Sequence, residues 1–266
     1  MPAENLTRAE ASERAALLEV HSYDVALDLT TGPETFSSTT VVRFTAHPAA
    51  DTFIDLIAPR VHEVVLNGTP LDVAEVFADS RITLNGLAEE NELRVVADCA
   101  YMNTGEGLHR FVDPVDDEVY LYSQFEVADS RRVFAVFDQP DLKAAFSFAV
   151  TAPAHWTVIS NSPTPEPLLI TGEDEDAPVA RWSFAPTPRL SSYVTAVVAG
   201  PYHREDGELT SSDGRTIPLG VLCRASLAPY LDTENILDVT RAGFGFYEET
   251  FGLAYPFAKY DQIFVP

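Results

Sequence analysis

The stretch that decides the fold class is His21-Ser22-Tyr23-Asp24-Val25-Ala26-Leu27-Asp28-Leu29. His21, Tyr23, Val25, Leu27 and Leu29 alternate with Ser22, Asp24, Ala26 and Asp28. A period of two sends the first set to one face of a strand and the second to the other. Gly32-Pro33 turns the chain, and Thr39 to Thr45, rich in β-branched residues, returns as a second strand. Upstream, Thr7 followed three residues on by Glu10 is a capping box that starts a short alanine-rich helix.

Outward from there, short strands recur. Asn67-Gly68 between Val61–Leu66 and Pro70–Val73 is a two-residue hairpin signal. Further strands are expected at Arg81–Leu84, Glu92–Ala97, Glu118–Phe125, Lys143–Thr151, Trp156–Ser160, Val179–Phe184 and Ser192–Val198. Gly, Pro, Asn and Asp fill the connections, which argues for an all-β sandwich over about 200 residues. The acidic run Gly172-Glu173-Asp174-Glu175-Asp176 reads as a solvated hairpin tip, since its spacing matches no calcium loop. After Gly200-Pro201 the texture changes. Polar turns around Glu205–Glu208 and Ser211–Gly214 flank one strand, Thr216–Cys223. Pro229–Thr250 then reads as the first long helix, with Leu231, Ile236, Leu237, Phe244, Tyr247 and Phe251 as its buried stripe and Gly252 at its C-terminal end. Tyr260–Pro266 is an apolar, strand-like run on which the sequence stops, as though cut from something larger.

Composition narrows the function classes. The 266 residues are 46% apolar and carry 17 Lys+Arg against 41 Asp+Glu, a net charge of −24. So acidic a surface repels phosphate backbones and anionic lipids, which argues against nucleic-acid and membrane partners and suits cationic ones, such as peptides with a free amino terminus. Cys99 and Cys223 are the only cysteines, too few for a disulfide framework, and read as buried free thiols in a reducing compartment. No basic-then-apolar leader opens the sequence and no run approaches about 18 apolar residues. The expected location is the cytoplasm.

Chemistry-bearing motifs are scarce. His62-Glu63-Val64-Val65-Leu66 starts like a zinc helix H-E-x-x-H, but Leu66 stands where the second imidazole belongs and the run reads as a strand. His21, His47, His109, His155 and His203 show no pairing one helical turn apart, and no metal site is expected on this chain. One dense segment stands out, Ser123 through Lys143, SQFEVADSRRVFAVFDQPDLK. Gln124 and Glu126 are two apart on an expected strand, so both leave one face while Phe125 turns to the other. A carboxamide beside a carboxylate can anchor a peptide's α-ammonium, the carboxylate supplying charge and the amide orientation; the same spacing also describes a plain exposed polar face. Arg131 and Arg132 beside Asp129, Asp138 and Asp141 read as structural ion pairs.

This segment closely resembles the T-Q-x-E/Q-x-x-x-A-R-x-x-F-P-C-x-D-E-P-x-x-K stretch of M1-family zinc aminopeptidases, of the bacterial aminopeptidase N type. Gly107-Leu108-His109-Arg110 is similar to the family's G-L-Y-R-S segment, Ser160-Asn161 to its S-N turn, and Ser191-Ser192-Tyr193 through Gly200 to the last strand of its first domain. Phe251 to Asp261 resembles its F-G-x-x-Y-P-F/L-x-K-x-D segment.

The resemblance implies a mainly β chain: residues 1–200 as a saddle-shaped amino-terminal β-sandwich domain, then 201–266 as the first strand and helix of a truncated, α/β thermolysin-like catalytic domain. It implies that the G-A-M-E-N and H-E-x-x-H-x18-E motifs, and with them the zinc ligands, lie beyond Pro266, so that this part alone is inactive. The implied partners are peptide substrates and the remainder of the catalytic domain. Residue by residue, Glu126 matches the acidic group that binds the substrate's free amino terminus, and Gln124 the glutamine lining the pocket for the first side chain. Ser123 for Thr, Ser130 for Ala, Ala135-Val136 for Pro-Cys and Gln139 for Glu depart from the family pattern, most of them at positions that in the family pack the turn behind the site. Two other classes compete: a stand-alone β-sandwich module binding peptide or carbohydrate, and a non-catalytic scaffold of the same family.

Overall fold

The structure is a computed structural model that describes residues 5–170 and 178–266. The acidic run 172–176 lies outside the described residues. The protein is mainly β, built from several sheets. By contact density it divides into two compact units, Met1–Arg110 with Leu121–Val198, and Phe111–Tyr120 with Ala199–Pro266.

The first unit is organised by an eight-stranded mixed sheet. Across it the strands run Leu168–Ile170, Val179–Ser183, Ala145–Pro153, Leu18–Asp28, Thr35–Ala46, Glu90–Ala100, Arg60–Leu66 and Thr69–Pro70. Leu18–Asp28 is antiparallel to Thr35–Ala46 and parallel to Ala145–Pro153, in a register that sets Ser22 against Ala145 and Asp28 against Thr151. The alternation read from sequence is the burial pattern observed, with Tyr23, Val25 and Leu27 buried and Asp24 exposed. His21 departs from it: a register break between Val20 and Ser22 leaves it half-buried. Tyr23 stacks on Phe146 with ring centroids 4.7 Å apart, and Phe134 meets both rings edge-on. Each such fully buried apolar side chain contributes about 1.5–3 kcal/mol relative to exposure. The Tyr23 hydroxyl accepts from the Phe137 N–H at 3.1 Å, so the polar end of the ring is satisfied inside the core. A four-stranded sheet in the order Thr157–Ser160, Val197–Gly200, Val119–Gln124 and Gly107–Val112 carries the segment of interest.

The expected amino-terminal helix is Arg8–Leu17, with the Thr7–Glu10 capping box formed in both directions. The Arg81 guanidinium 2.7 Å from Glu10 holds that carboxyl down at about 2. The helix's function in packing was not visible in its sequence. Arg14 is 2% exposed and meets Asp55, also buried, at 2.8 Å, while its Nε donates to Gln139 at 3.1 Å.

The second unit pairs His203–Thr210, Thr216–Cys223 and Tyr260–Phe264 in that order, the last pair parallel. The helix Thr233–Phe251 lays Leu237, Ile236 and Phe244 over Leu209, Ile217, Leu219 and Val221. Gly252 ends it in the left-handed conformation, φ 60°. Asp113 is fully buried within this unit, 2.8 Å from Arg224 and 2.5 Å from the Ser226 hydroxyl, and these donors keep its pKa low.

Several expectations are corrected. Glu205–Glu208 is strand rather than turn, and Ser192–Val194 is a 3-10 turn that precedes the strand Val197–Gly200. Val73 opens a short helix instead of closing the hairpin. The long helix starts at Thr233, because Pro229 falls in a separate 3-10 turn, Ala225–Tyr230. Tyr247 and Phe251 are 59% and 72% exposed, so the buried stripe stops at Phe244. Cys99 and Cys223 are buried free thiols, as expected. No helix among the described residues is long and apolar enough to cross a membrane.

Candidate functional site

The strand Val119–Gln124 ends one residue before the sequence pattern suggests, and the chain then turns through residues 126–129. The alternation survives that end. Gln124 is exposed, Phe125 is 2% exposed and packs edge-on against Phe134 at 5.9 Å, and Glu126 is exposed again. Phe125 therefore anchors a short polar pair that the sequence reading placed on one face. The Gln124 carboxamide oxygen accepts from the Glu126 N–H at 3.0 Å, which fixes the side chain beside the turn and leaves its NH2 without a partner among the described residues. The Glu126 carboxylate has no ion pair or side-chain hydrogen bond among the described residues. An exposed carboxylate held by a buried neighbour and left unneutralised is suited to an external cation.

All but Ser123 of the departures from the family pattern are interior. Ser130, Ala135, Val136 and Gln139 are all buried: Ala135 N–H donates to Thr40 Oγ1 at 3.2 Å, Val136 bridges to Asp55, and Gln139 bonds Arg14. The ion pairing expected here forms in part: Arg132 Nε is 2.6 Å from Asp129, and its Nη2 is 3.1 Å from Glu106. Arg131 donates its Nε to the Ala128 carbonyl at 2.9 Å and its backbone N–H to Asp138 at 3.2 Å. Asp138 is 5% exposed, and burial raises its carboxyl to about 6 against the pull of the Arg131 N–H and the Ser192 hydroxyl.

A second loop faces the Gln124–Glu126 pair. The 3-10 turn Ser192–Val194 is tied on several sides. Ser192 Oγ donates to Asp138 at 2.9 Å, Ser191 Oγ to the Pro140 carbonyl at 2.5 Å, and Asn161 Nδ2 to the Val194 carbonyl at 2.8 Å. Asn161 Oδ1 accepts from the Ala196 N–H, and Ser123 Oγ from the Val197 N–H, both at 2.8 Å. Between the two loops lies an open concavity of about 400 Å³ with Glu126 as its only charged lining residue. Sequence reasoning marked Ser160-Asn161 and Ser191-Ser192-Tyr193 as resemblances but gave them no role; the hydrogen bonds supply one.

Three of the histidines have structural partners. His62 sits on a strand 2.7 Å from Asp98, and His203 is 2.9 Å from Glu205. His109 stacks on Tyr122 at 4.7 Å and accepts from the Gly105 N–H. Among the described residues no three His, Cys, Asp or Glu side chains converge to hold a metal ion. The zinc implied by the resemblance therefore has no donor set among them.

The family model of the peptidase M1 N-terminal domain matches residues 20–194, a span that contains Gln124, Glu126 and Val194 of the concavity. This chain belongs to the M1 peptidase family. Over its whole length it is 60% identical to aminopeptidase N of Streptomyces lividans, and it is 35% identical over 55% of its length to aminopeptidase N of Acetobacter pasteurianus. Mouse aminopeptidase N is 24% identical over 87% of the chain. The chain spans 30%, 38% and 25% of the lengths of these three relatives.

Proposed function

We propose that this chain is the amino-terminal part of a zinc-dependent M1 aminopeptidase of the aminopeptidase N type, which releases single residues from the free amino terminus of peptides. In this reading residues 1–200 form the domain that caps one side of the cleft, 201–266 begin the thermolysin-like catalytic domain, and the zinc ligands lie beyond Pro266. Glu126 takes the substrate's α-ammonium and Gln124 borders the space for the first side chain. The complete enzyme works in the cytoplasm.

The observation that carries this reading is the unneutralised Glu126 carboxylate at the end of the Val119–Gln124 strand, in a chain matched to the M1 N-terminal domain. A charge-assisted hydrogen bond to an ammonium is typically worth about 1.5–3 kcal/mol. The overall charge of −24 draws cationic peptide termini toward the surface.

The test is steady-state kinetics of the complete protein on aminoacyl anilides. Glu126→Gln keeps the shape and removes the charge, and is expected to lower kcat/KM about 10- to 100-fold on every anilide. Unchanged kcat/KM across the panel would remove Glu126 from the site. Peptide binding without any hydrolysis by the complete protein would favour a binding module instead.

A further inference from the structure

We propose that Val194 is a specificity-determining residue, the apolar wall against which the side chain of the substrate's first residue packs. The inference rests on the reading of Glu126 as the ammonium anchor, and adds a role on the opposite loop.

Three features of the concavity carry it. The first is its polarity. Gln124 and Glu126 line it from one segment and Tyr193, Val194, Thr195 and Ala196 from the other, so a carboxylate shares the concavity with a largely apolar segment and no cation lines it. An amino-terminal residue has the matching shape: an ammonium and, one carbon away, a side chain.

The second is the exposure of Val194 against its surroundings. Ser191, Ser192 and Thr195 are all at most 8% exposed, whereas Val194, which lines the concavity, is 44% exposed. A lone exposed valine on a surface is ordinary. An exposed valine on an otherwise buried turn, lining the same concavity as an unpaired carboxylate, offers a contact surface.

The third is rigidity. Asn161 grips the Val194 carbonyl and the Ala196 N–H together, Thr195 Oγ1 closes on the Ser192 carbonyl at 2.7 Å, and Ser192 is held by the buried Asp138. None of these bonds uses the Val194 side chain. Side chains that discriminate between substrates need their backbone held to a fraction of an ångström, and this turn is held that way. The volume of about 400 Å³ falls within the range of small-ligand clefts and has room for an aliphatic or aromatic side chain.

The experiment uses the complete protein with alanine, leucine, phenylalanine and arginine anilides, comparing wild type, Glu126→Gln, Val194→Thr and Val194→Asp. In an enclosed apolar pocket a methylene changes kcat/KM by roughly 10- to 200-fold. At a half-open wall the expected change is smaller: Val194→Thr, which is isosteric, lowers the leucine-to-alanine ratio about 3- to 10-fold at similar stability. Val194→Asp raises the arginine-to-leucine ratio at least about 10-fold, an effect that shrinks in high salt because it is coulombic. Glu126→Gln lowers all four substrates together and leaves their ranking unchanged. If Glu126→Gln lowers every substrate while neither Val194 variant alters the ranking, Val194 is not a wall and the proposal falls while the anchor stands. A uniform loss in both Val194 variants, as from a displaced loop, overturns it equally. If Glu126→Gln has no effect, the anchor reading fails first and this inference with it.

Discussion

The Ser192 hydroxyl donates to Oδ1 of Asp138 across 2.9 Å, and neither residue is more than 5% exposed. The other carboxylate oxygen accepts from the Arg131 N–H, so one buried side chain joins the turn after Glu126 to the turn that carries Val194. Two loops that are about 60 residues apart in sequence are thereby set in register by a single acid.

That acid gives the fold a pH dependence. Burial raises the Asp138 carboxyl to about 6, above its ordinary 3.8, so the folded chain keeps a proton that the unfolded chain gives up. The stabilisation is full below about pH 4 and is lost as pH rises through about 6. Between about pH 5 and 7.5 it amounts to about 1.4 kcal/mol. Asp138→Asn removes it, so the difference in urea-unfolding free energy, variant minus wild type, should rise by that amount across the interval. A difference independent of pH would contradict the assignment.

Arg14 and Asp55 form a pair with almost no solvent exposure, 1% and 5% for the side chains. Removing one partner strands a charge in the interior, which typically costs about 3–5 kcal/mol. Arg14→Ala is expected to lose that much in chemical denaturation. A loss below about 1 kcal/mol would show the pair to be energetically idle.

Gly220 lies on the strand Thr216–Cys223 under a second ion-pair cluster, Arg204 with Asp261 at 3.0 Å and Lys259 with Asp261. A Cβ at Gly220 would collide with Asp261 Oδ1 and come within 2.6 Å of Arg204 Nη2. Gly220→Ala should cost about 1–3 kcal/mol by overpacking. Hydrogen exchange should locate the damage in Tyr260–Phe264 and spare Arg8–Leu17. Faster exchange in both would mean that the strain spreads across the whole chain.

Metal content is a further check. With no donor set among the described residues, the 266-residue chain after dialysis should hold well under one zinc per molecule. A stoichiometric, chelator-sensitive zinc would require a site that the described residues do not explain.

What could be read from sequence followed the range of the forces involved. The Thr7–Glu10 cap and the Asn67-Gly68 turn depend on neighbours only, and both formed; Asn67 and Gly68 take φ 52° and 77°, as a primed hairpin turn requires. Phe125 turning inward between Gln124 and Glu126 was likewise a matter of period. His203–Thr210 was missed because Glu205, Asp206 and Glu208 suggest a turn, yet an edge strand tolerates charge on its open side. The burial of Arg14 had no local sign at all, since its reason is Asp55, some 40 residues on. Asp138 was read as half of an ion pair, and its role as a bridge to Ser192 depends on a contact across more than 50 residues.

The parallel pairing of Leu18–Asp28 with Ala145–Pro153 has a consequence for the nascent chain. On a ribosome, Leu18–Asp28 meets Thr35–Ala46 at once, but its other edge waits for a partner made roughly 120 residues later. At synthesis rates of about 5–20 residues per second that is about 6–24 s of bare strand edge beside Tyr23, Val25 and Leu27. The wait falls in the phase when an unpaired edge is most open to wrong partners, so the burden of chaperone protection during biogenesis should centre on this one seam and lift only once Pro153 has left the exit tunnel.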